Sequence, residues 1–193
     1  MKTTGSRATL ANLINIASTL VMVVALSLSS PAEASVYGPA PYFDNLLTNP
    51  NGDAGNLSGW TLTANGGDGW AVDTGYHQNE TADNGFLTSY EWAQREQIVD
   101  LLSQGFTPDL LEAQPPIIIS ETFEKVFCAD HFFVEVDLLD SSMNLIRTWT
   151  SGRLSHSSTN CDYSGYKEQV NTELTHYGTG VRYIRWRDGG KDS

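Results

Sequence analysis

The sequence predicts an all-β sandwich in a single domain, and three observations lead to this prediction. Short runs of β-branched and aromatic residues alternate with turns rich in Gly, Asn and Asp, which is typical of a sandwich with many short strands. The chain contains 17 Gly, 8 Tyr and 5 Trp among its 193 residues, a composition that does not suit a helix-rich protein. Helical spacing is confined to one brief interlude, so one or two short helices are predicted beside the sheets.

The first strands are predicted around a glycine-rich turn. A strand-like run at 60–64 is followed by NGGDG at 65–69, where several residues can take a positive φ at little cost. A second run follows at 70–73, and residues 75–85 are polar and rich in turn formers. The third run, at 86–92, has the aromatic and β-branched weighting of a strand.

Two short helices are predicted next. In the segment 96–104 the isoleucine and two leucines fall on one face at helical spacing, and Gly105 is placed to end the helix. A second helix is predicted to begin at 107–109 (TPD). Its Thr can cap the N-terminus, its Pro suits the first turn, and its Asp faces the positive end of the helix dipole. The two prolines at 115–116 end it.

The clearest strands lie in the second half of the chain. They are predicted at 117–119, 131–139, 145–151, 168–176 and 181–187. The loop DSSMN at 140–144 makes a hairpin of the strands on either side of it, and Gly178 and Gly180 supply the turn before the last strand.

Charge and motifs exclude several classes of function. The formal net charge is -12 at pH 7, so the chain repels phosphate backbones and anionic membrane surfaces, and nucleic acid is not an expected partner. No nucleophile elbow, zinc-protease signature or phosphate-binding loop occurs in the sequence, and its four histidines lie far apart. The chain is therefore predicted to be non-enzymatic, without a cofactor and without a metal site.

The N-terminus is predicted to be a secretory signal peptide over residues 1–34. Lys2 and Arg7 supply the positive start, an apolar stretch follows, and Ala-Glu-Ala at 32–34 fits the small-x-small cleavage rule. The apolar stretch is short for a membrane span, which needs about 20 residues. The protein is thus predicted to be secreted or lumenal, with residues 35–43 as an extended leader. The alternative is an uncleaved, signal-anchored membrane protein, and no other membrane association is expected.

In a secretory compartment, the two cysteines could form a disulfide and the two sequons could be glycosylated. Cys128 and Cys161 form an isolated pair, which is a natural disulfide candidate under oxidising conditions, whereas two free thiols are the alternative. The sequons at Asn56 and Asn79 lie in turn-rich segments where N-glycosylation is sterically possible. Chance alone also places one or two sequons in many chains of this length.

Five motifs appear in the chain in the order in which one known family carries them. They are NLLTNPNG, GW, NGGDGW, TSYEW and VRYIRWRDGGKDS, at 45–52, 59–60, 65–70, 88–92 and 181–193. With these motifs, residues 44–193 resemble the F-box-associated (FBA) domain of the sugar-recognising F-box proteins and of the non-specific cytotoxic cell receptor proteins. The resemblance implies a galactose-binding-like jelly-roll β-sandwich. It also implies that a C-terminal strand is missing, because the family's domain continues past its double glycine into a Tyr-Trp pair and a final strand.

The resemblance singles out one candidate glycan-binding residue, Tyr90. In TSYEW it matches the family position where a Phe or Tyr helps to form a pocket for the chitobiose core of high-mannose N-glycans. The alternative for Tyr90 is a half-buried structural tyrosine. The principal contacts of the family come from the Tyr-Trp pair and a following Lys, which this sequence does not contain after the double glycine, so the inherited sugar pocket is predicted to be incomplete.

The function predicted from these features is a secreted or lumenal module that binds N-linked glycans or glycoproteins without catalysis. One alternative is the substrate-recognition component of an SCF-type ubiquitin ligase that acts on N-glycosylated proteins. That role requires the cytosol, which the predicted signal peptide contradicts. The other alternative is a receptor-like defence protein, as the cytotoxic-cell receptor relatives suggest. The sequence does not predict an oligomeric state.

Overall fold

Two layers of antiparallel strands make up the described part of the chain. The structure is a computed structural model that describes residues 45–73, 84–125, 130–157, 161 and 166–192. Ten strands and one short helix lie within these ranges. The all-β sandwich predicted from the sequence is therefore confirmed.

The first layer, called the large sheet, has the strand order β1-β4-β10-β6-β7, and β8 also pairs with β6. Its strands are β1 (Thr61–Asn65), β4 (Ala93–Asp100), β6 (His131–Leu139), β7 (Leu145–Thr150), β8 (Leu154–Ser155) and β10 (Tyr183–Lys191). The β6–β7 hairpin is the one predicted from the sequence, and its turn is held by the Asp140 carboxylate, which accepts from the backbone N–H of Ser142 and Asn144.

The second layer consists of two strand pairs. Strand β2 (Ala71–Asp73) pairs with β3 (Gly85–Leu87), and β5 (Ile117–Lys125) pairs with β9 (Tyr166–Leu174). Within the described residues these two pairs are not hydrogen-bonded to each other. The second layer is therefore divided, and its division positions the cleft described below.

The core lies between the two layers. Every second residue of β6 points inward, and Phe132, Val134, Val136 and Leu138 are at most 2% exposed. Ile119 and Val170 of the second layer belong to the same buried cluster. The alternation along β6 is the period of a strand with one face buried, which explains why the sequence predicted this strand correctly.

The helix predicted at 96–104 was wrong, because residues 96–100 belong to a strand and residues 101–104 form a turn. Residues from 93 to 100 form β4, whose buried and less buried positions alternate. Two of the buried positions hold Arg95 and Gln97, whereas Ile98 is 47% exposed. Polar residues on the inner face and an apolar residue on the outer face conceal the period of two, and the remaining apolar residues fall at helical spacing by coincidence. The run predicted at 86–92 is likewise divided between β3 and a loop.

The helix predicted from TPD is confirmed as α1 (Pro108–Glu112). The Thr107 side chain accepts a hydrogen bond from the backbone N–H of Leu110, and Pro108 occupies the first turn. This is the arrangement in which Thr satisfies a backbone donor that has no partner inside the helix.

Strand β10 runs through the double glycine rather than ending before it. The chain at Gly189 passes so close to its neighbours that a Cβ there would lie 2.5 Å from the Ala93 carbonyl oxygen. A residue with a side chain would push β10 away from β4, which is why glycine stands at this position.

A cluster of charges covers the outer face of the large sheet. The Asp137 carboxylate accepts from Arg185 Nη2 at 2.5 Å, from Arg187 Nη2 at 2.8 Å and from the Thr148 hydroxyl at 2.6 Å, and Arg187 also pairs with Glu135. Burial raises the pKa of Asp137, but the Thr148 hydrogen bond and the two guanidinium groups outweigh it and hold this pKa below its ordinary value.

Candidate functional site

The Tyr90 loop, defined as residues 88–92, connects β3 to β4 and exposes its tyrosine. The Tyr90 side chain is 61% exposed, so the alternative of a half-buried structural tyrosine is wrong. The loop is fixed from both sides. The Ser89 carbonyl oxygen accepts from the backbone N–H of Asp192 at 2.9 Å, and the Ser89 hydroxyl oxygen accepts from the backbone N–H of Asp68 at 3.0 Å.

Aromatic rings and a cation adjoin this loop on the outer surface. The Trp92 ring lies 5.9 Å from the Phe133 ring, and the guanidinium carbon of the exposed Arg153 lies 4.6 Å from the centre of the Trp92 ring. Tyrosine and tryptophan rings offer apolar faces, while the Tyr90 hydroxyl and the Arg153 guanidinium offer hydrogen-bond donors. This combination suits a ligand that has an apolar face and hydroxyl groups at its edge.

A second feature, called the cleft, opens between the two strand pairs of the second layer. Its volume is about 910 Å³, within the range of small-molecule sites. The inner face of the large sheet forms its floor with Arg95, Trp186 and Asp188, and β3 and β5 form its sides. Sequence reasoning missed the cleft, because it arises from the spatial arrangement of strands far apart in the chain.

The floor of the cleft holds a buried cation inside an aromatic cage. The Arg95 guanidinium carbon lies 3.7 Å from the centre of the Trp60 ring, 3.9 Å from that of Phe86 and 4.7 Å from that of Trp70. Arg95 itself is only 4% exposed. A guanidinium in such a cage, shielded from water, is stabilised by the ring quadrupoles.

Two carboxylates balance this cation. Arg95 Nε donates to Asp188 Oδ1 at 2.8 Å, and Arg95 Nη2 lies 3.9 Å from Glu121 Oε1. The Trp186 indole N–H donates to Asp188 Oδ2 at 2.9 Å. Strands β4 and β10 place Arg95 directly opposite Asp188, so the pair is set by the register of the large sheet.

The two carboxyl groups share their cation unequally. Burial raises the pKa of Asp188, against the lowering effect of the ion pair and hydrogen bond with Arg95. Burial, assisted by the neighbouring Asp188, raises the pKa of Glu121 well above its ordinary value, and Arg95 opposes this shift. One guanidinium therefore compensates the burial of both carboxylates only in part, and least for Glu121, which it does not contact directly.

Comparison with known proteins identifies the family. The model of the F-box associated region, FBA, matches residues 37–193. The chain belongs to the FBA family.

The relatives of this FBA domain are F-box only proteins. It is 34% identical over 157 residues to F-box only protein 2 of Bos taurus, covering 77% of this chain and 52% of that protein. It is 31% identical over 158 residues to F-box only protein 44 of Homo sapiens, covering 77% and 60%. The chain thus spans about half the length of the first of these relatives.

Among solved structures, the FBA domain is similar to TmCBM61, which was determined in complex with β-1,4-galactotriose. The TM-score is 0.46 at 13% identity, with 77% of this chain and 88% of that chain covered.

The remaining candidate residues of the FBA domain fall into two groups. Asn56 is exposed, its side-chain oxygen accepts from the backbone N–H of Ser58, and Cys161 is exposed as well. Asn79 and Cys128 lie outside the described residues, as does the predicted signal peptide. N-glycosylation and the disulfide therefore stay predictions. Within the described ranges, no helix is both long and apolar enough to cross a membrane.

Proposed function

We propose that this FBA domain is a non-enzymatic module that binds N-linked glycans or glycoproteins in a secreted or lumenal compartment. The exposed Tyr90 is the observation that carries the proposal, because it stands at the position that matches the sugar pocket of the family. The adjoining Trp92 ring and Arg153 guanidinium supply a stacking face and hydrogen-bond donors of the kind that sugars use.

We also propose that the sugar pocket is incomplete in this chain. Stacking of a sugar face on one ring contributes on the order of 1 kcal/mol, and each hydrogen bond contributes a similar amount. Association costs at least about 4 kcal/mol in lost freedom, so Tyr90 and its neighbours do not bind chitobiose tightly by themselves. Because Asp192 is hydrogen-bonded to Ser89, a segment attached after Ser193 would begin beside the Tyr90 loop, where further rings could join it.

A pair of proteins tests the binding proposal. The 193-residue chain and a version extended by a family-like segment with Tyr-Trp-Lys are titrated with chitobiose in a calorimeter. We expect little or no heat from the first protein and measurable binding from the second. In the extended protein, Tyr90→Ala should weaken binding about thirtyfold, since it removes one stacking face and one hydrogen bond that contribute about 1 kcal/mol each.

Two controls accompany this titration. Tyr90→Phe keeps the ring, so it should lose only the share of the chitobiose affinity that the hydroxyl group contributes. Leu145→Ala removes another exposed apolar side chain, 58% exposed on β7, and should leave the affinity unchanged. Tight chitobiose binding by the unextended chain would contradict the incomplete pocket, and no binding by either protein would contradict the proposed function.

Secretion is a separate expectation of the same proposal. Expressed in a eukaryotic cell, the chain should appear in the medium or the secretory lumen with Ser35 or a near neighbour as its new N-terminus, because a signal peptidase cleaves after small-x-small motifs. N-terminal sequencing of the product and fractionation of the cells measure this. A cytosolic product that keeps Met1 would contradict it.

The second candidate function is substrate recognition in an SCF-type ubiquitin ligase. It is favoured by the relatives, which are F-box only proteins and are about twice as long as the part that this chain matches. The localisation experiment separates the two candidates, because the ligase role requires a cytosolic protein whereas the secreted binding module requires the secretory pathway.

A further inference from the structure

The turn at 56–58, called the sequon turn, is exposed and locally ordered. Asn56 and Ser58 are both exposed, and Leu57 between them is half-buried. The Asn56 side-chain oxygen accepts a hydrogen bond from the backbone N–H of Ser58 at 2.8 Å. A bond from an Asn side chain to the backbone two residues further on is an Asx turn, which forms between near neighbours in the chain and needs no distant contact.

The loop around the sequon turn is held by residues that are close in the chain. Asn49 Nδ2 donates to the carbonyl oxygens of Asn56 and Ser58, at 2.8 and 3.2 Å. Asn49 Oδ1 accepts from the backbone N–H of Ala54 at 3.1 Å, and the Trp60 indole N–H donates to the Asn49 carbonyl oxygen at 3.0 Å. The buried Trp60 therefore anchors the loop to the core, while the sequon turn stays at the surface.

The oxygen and the nitrogen of the Asn56 side chain differ in their contacts. The oxygen is engaged with Ser58, whereas Nδ2 makes no hydrogen bond to any of the described residues. A side-chain amide carries two N–H donors on its nitrogen, and those of Asn56 both face solvent. Asn49 is the opposite case, because its Nδ2 holds two carbonyl groups of the loop. A substituent on Asn56 Nδ2 would therefore break no contact, whereas one on Asn49 Nδ2 would break two.

We propose that Asn56 is an N-glycosylation site, so that this FBA domain is itself a glycoprotein as well as a glycan-binding module. Asn56-Leu57-Ser58 has the N-x-Ser pattern of an acceptor site, and such sites are used on exposed loops of secreted proteins. The exposure of the turn and the uncommitted Nδ2 are the observations that carry the proposal. It rests on the proposed secretory location, because N-glycosylation takes place in the secretory lumen.

The transfer needs one co-substrate, a lipid-linked oligosaccharide with a pyrophosphate leaving group. Asn56 Nδ2 forms a bond to C1 of the first sugar, the bond between C1 and the pyrophosphate oxygen breaks, and that oxygen keeps the bonding electrons. Nδ2 gives up one of its two protons, and nothing is oxidised or reduced. The Asn56 oxygen keeps its bond to the Ser58 N–H, so the modified loop retains the contacts that order it.

The position of the sequon turn leaves the Tyr90 loop open. Strand β1 runs from the end of the sequon loop at Thr61 to Asn65, and the next residue, Gly66, donates its backbone N–H to the Trp92 carbonyl oxygen at 3.2 Å. Five residues of strand span about 16 Å, so the two sites lie near opposite ends of β1. A glycan attached to Asn56 therefore begins well away from the ring of Tyr90.

The test compares two versions of the chain expressed in a eukaryotic cell. The first keeps its own N-terminus, and the second carries a well-characterised secretory signal peptide in front of Ser35. Both carry Asn79→Gln, which leaves Asn56 as the one N-x-Ser/Thr acceptor in the sequence. In both versions we expect a single gel shift that peptide N-glycosidase F removes. Mass spectrometry should then find position 56 converted to aspartate, the mark that this enzyme leaves on an occupied site.

Three substitutions within the sequon turn act as matched controls. Ser58→Ala removes the hydroxyl group that the acceptor pattern requires but keeps the backbone N–H that Asn56 binds, so the gel shift should disappear. Asn56→Asp keeps an acceptor oxygen for the same N–H but has no amide, and it should also lose the shift. Ser58→Thr preserves the pattern and should keep the shift. Thermal unfolding of the purified proteins should show that all three variants remain folded, since each keeps the Asx turn.

The outcomes separate this inference from the proposed location. A shift in the second version but not in the first would contradict secretion by the chain's own N-terminus and would support the Asn56 site. An unmodified Asn56 in the second version, after its signal peptide has been cleaved in the lumen, would overturn the inference. A shift that persists in Ser58→Ala would overturn it as well, because the modification would then lie elsewhere in the chain.

Discussion

Replacing Arg95 with Met is expected to lower the free energy of unfolding by about 3–5 kcal/mol, the cost of removing one partner from a buried ion pair. The methionine side chain is similar in length to that of arginine and keeps apolar contact with the aromatic cage. The loss of stability therefore reports mainly on the removal of the positive charge. Asp188 is 1% exposed in the unchanged protein, so the variant would leave this carboxylate in the core without its cation. Urea denaturation followed by tryptophan fluorescence measures the change.

The effect of this substitution should depend on pH. The pKa values of Asp188 and Glu121 are raised by burial in the folded protein, so ionisation of these groups favours the unfolded chain. Without the guanidinium both pKa values rise further. The deficit of the variant relative to the unchanged protein should therefore be smaller at about pH 4, where the carboxyl groups take up protons, and grow as pH rises through the raised pKa values.

Arg153→Met is the matched control for Arg95→Met. Arg153 also lies over a tryptophan ring, Trp92, but its side chain is exposed, so its removal should cost about 0.5–1 kcal/mol. Similar losses for the two variants, or a deficit at Arg95 that does not change with pH, would contradict the assignment of Arg95 as the cation that compensates two buried carboxylates.

The parts of the fold that the sequence predicted correctly are those whose side chains follow the simple rule of apolar inside and polar outside. The β6–β7 hairpin satisfies this rule, since its inward positions are Phe132, Val134, Val136 and Leu138 and its turn begins with Asp140. Local patterns of this kind depend on a few neighbouring residues, and the Thr107 cap of α1 is predictable for the same reason.

The parts that could not be predicted depend on pairs of residues far apart in the chain. Arg95 and Asp188 are 93 positions apart, and each is a polar residue at an inward position. Neither position signals burial in the sequence, and the polar residues in β4 are also why that strand resembled a helix. The cleft follows from the division of the second layer, which is a property of strand pairing and has no local signature.

Phe132→Ala is expected to lower the free energy of unfolding by about 3–5 kcal/mol, the range for deleting a buried phenylalanine ring. Phe132 is 2% exposed and stacks on Phe123 of β5 with ring centres 4.3 Å apart, while the His156 ring lies 4.9 Å away. The ring therefore joins the large sheet to the β5–β9 pair. With the ring removed, the facing layers lose a contact and retain a cavity that they can close only in part.

The adjacent residue provides a control on the same strand. Phe133 points to the outer face, is half-buried and contacts Trp92, so Phe133→Ala should cost about 1 kcal/mol, because only part of its ring leaves water on folding. The difference in lost stability between these neighbouring phenylalanines tests the register of β6, since a shift by one residue would exchange their faces.

A double-mutant cycle tests the stacked pair itself. Urea denaturation of Phe132→Ala, Phe123→Ala and the double variant should give a coupling energy of about 0.5–1.5 kcal/mol for the stacked pair. Equal losses for Phe132→Ala and Phe133→Ala would contradict the register, and a coupling energy near zero would contradict the packing of the two layers through this pair.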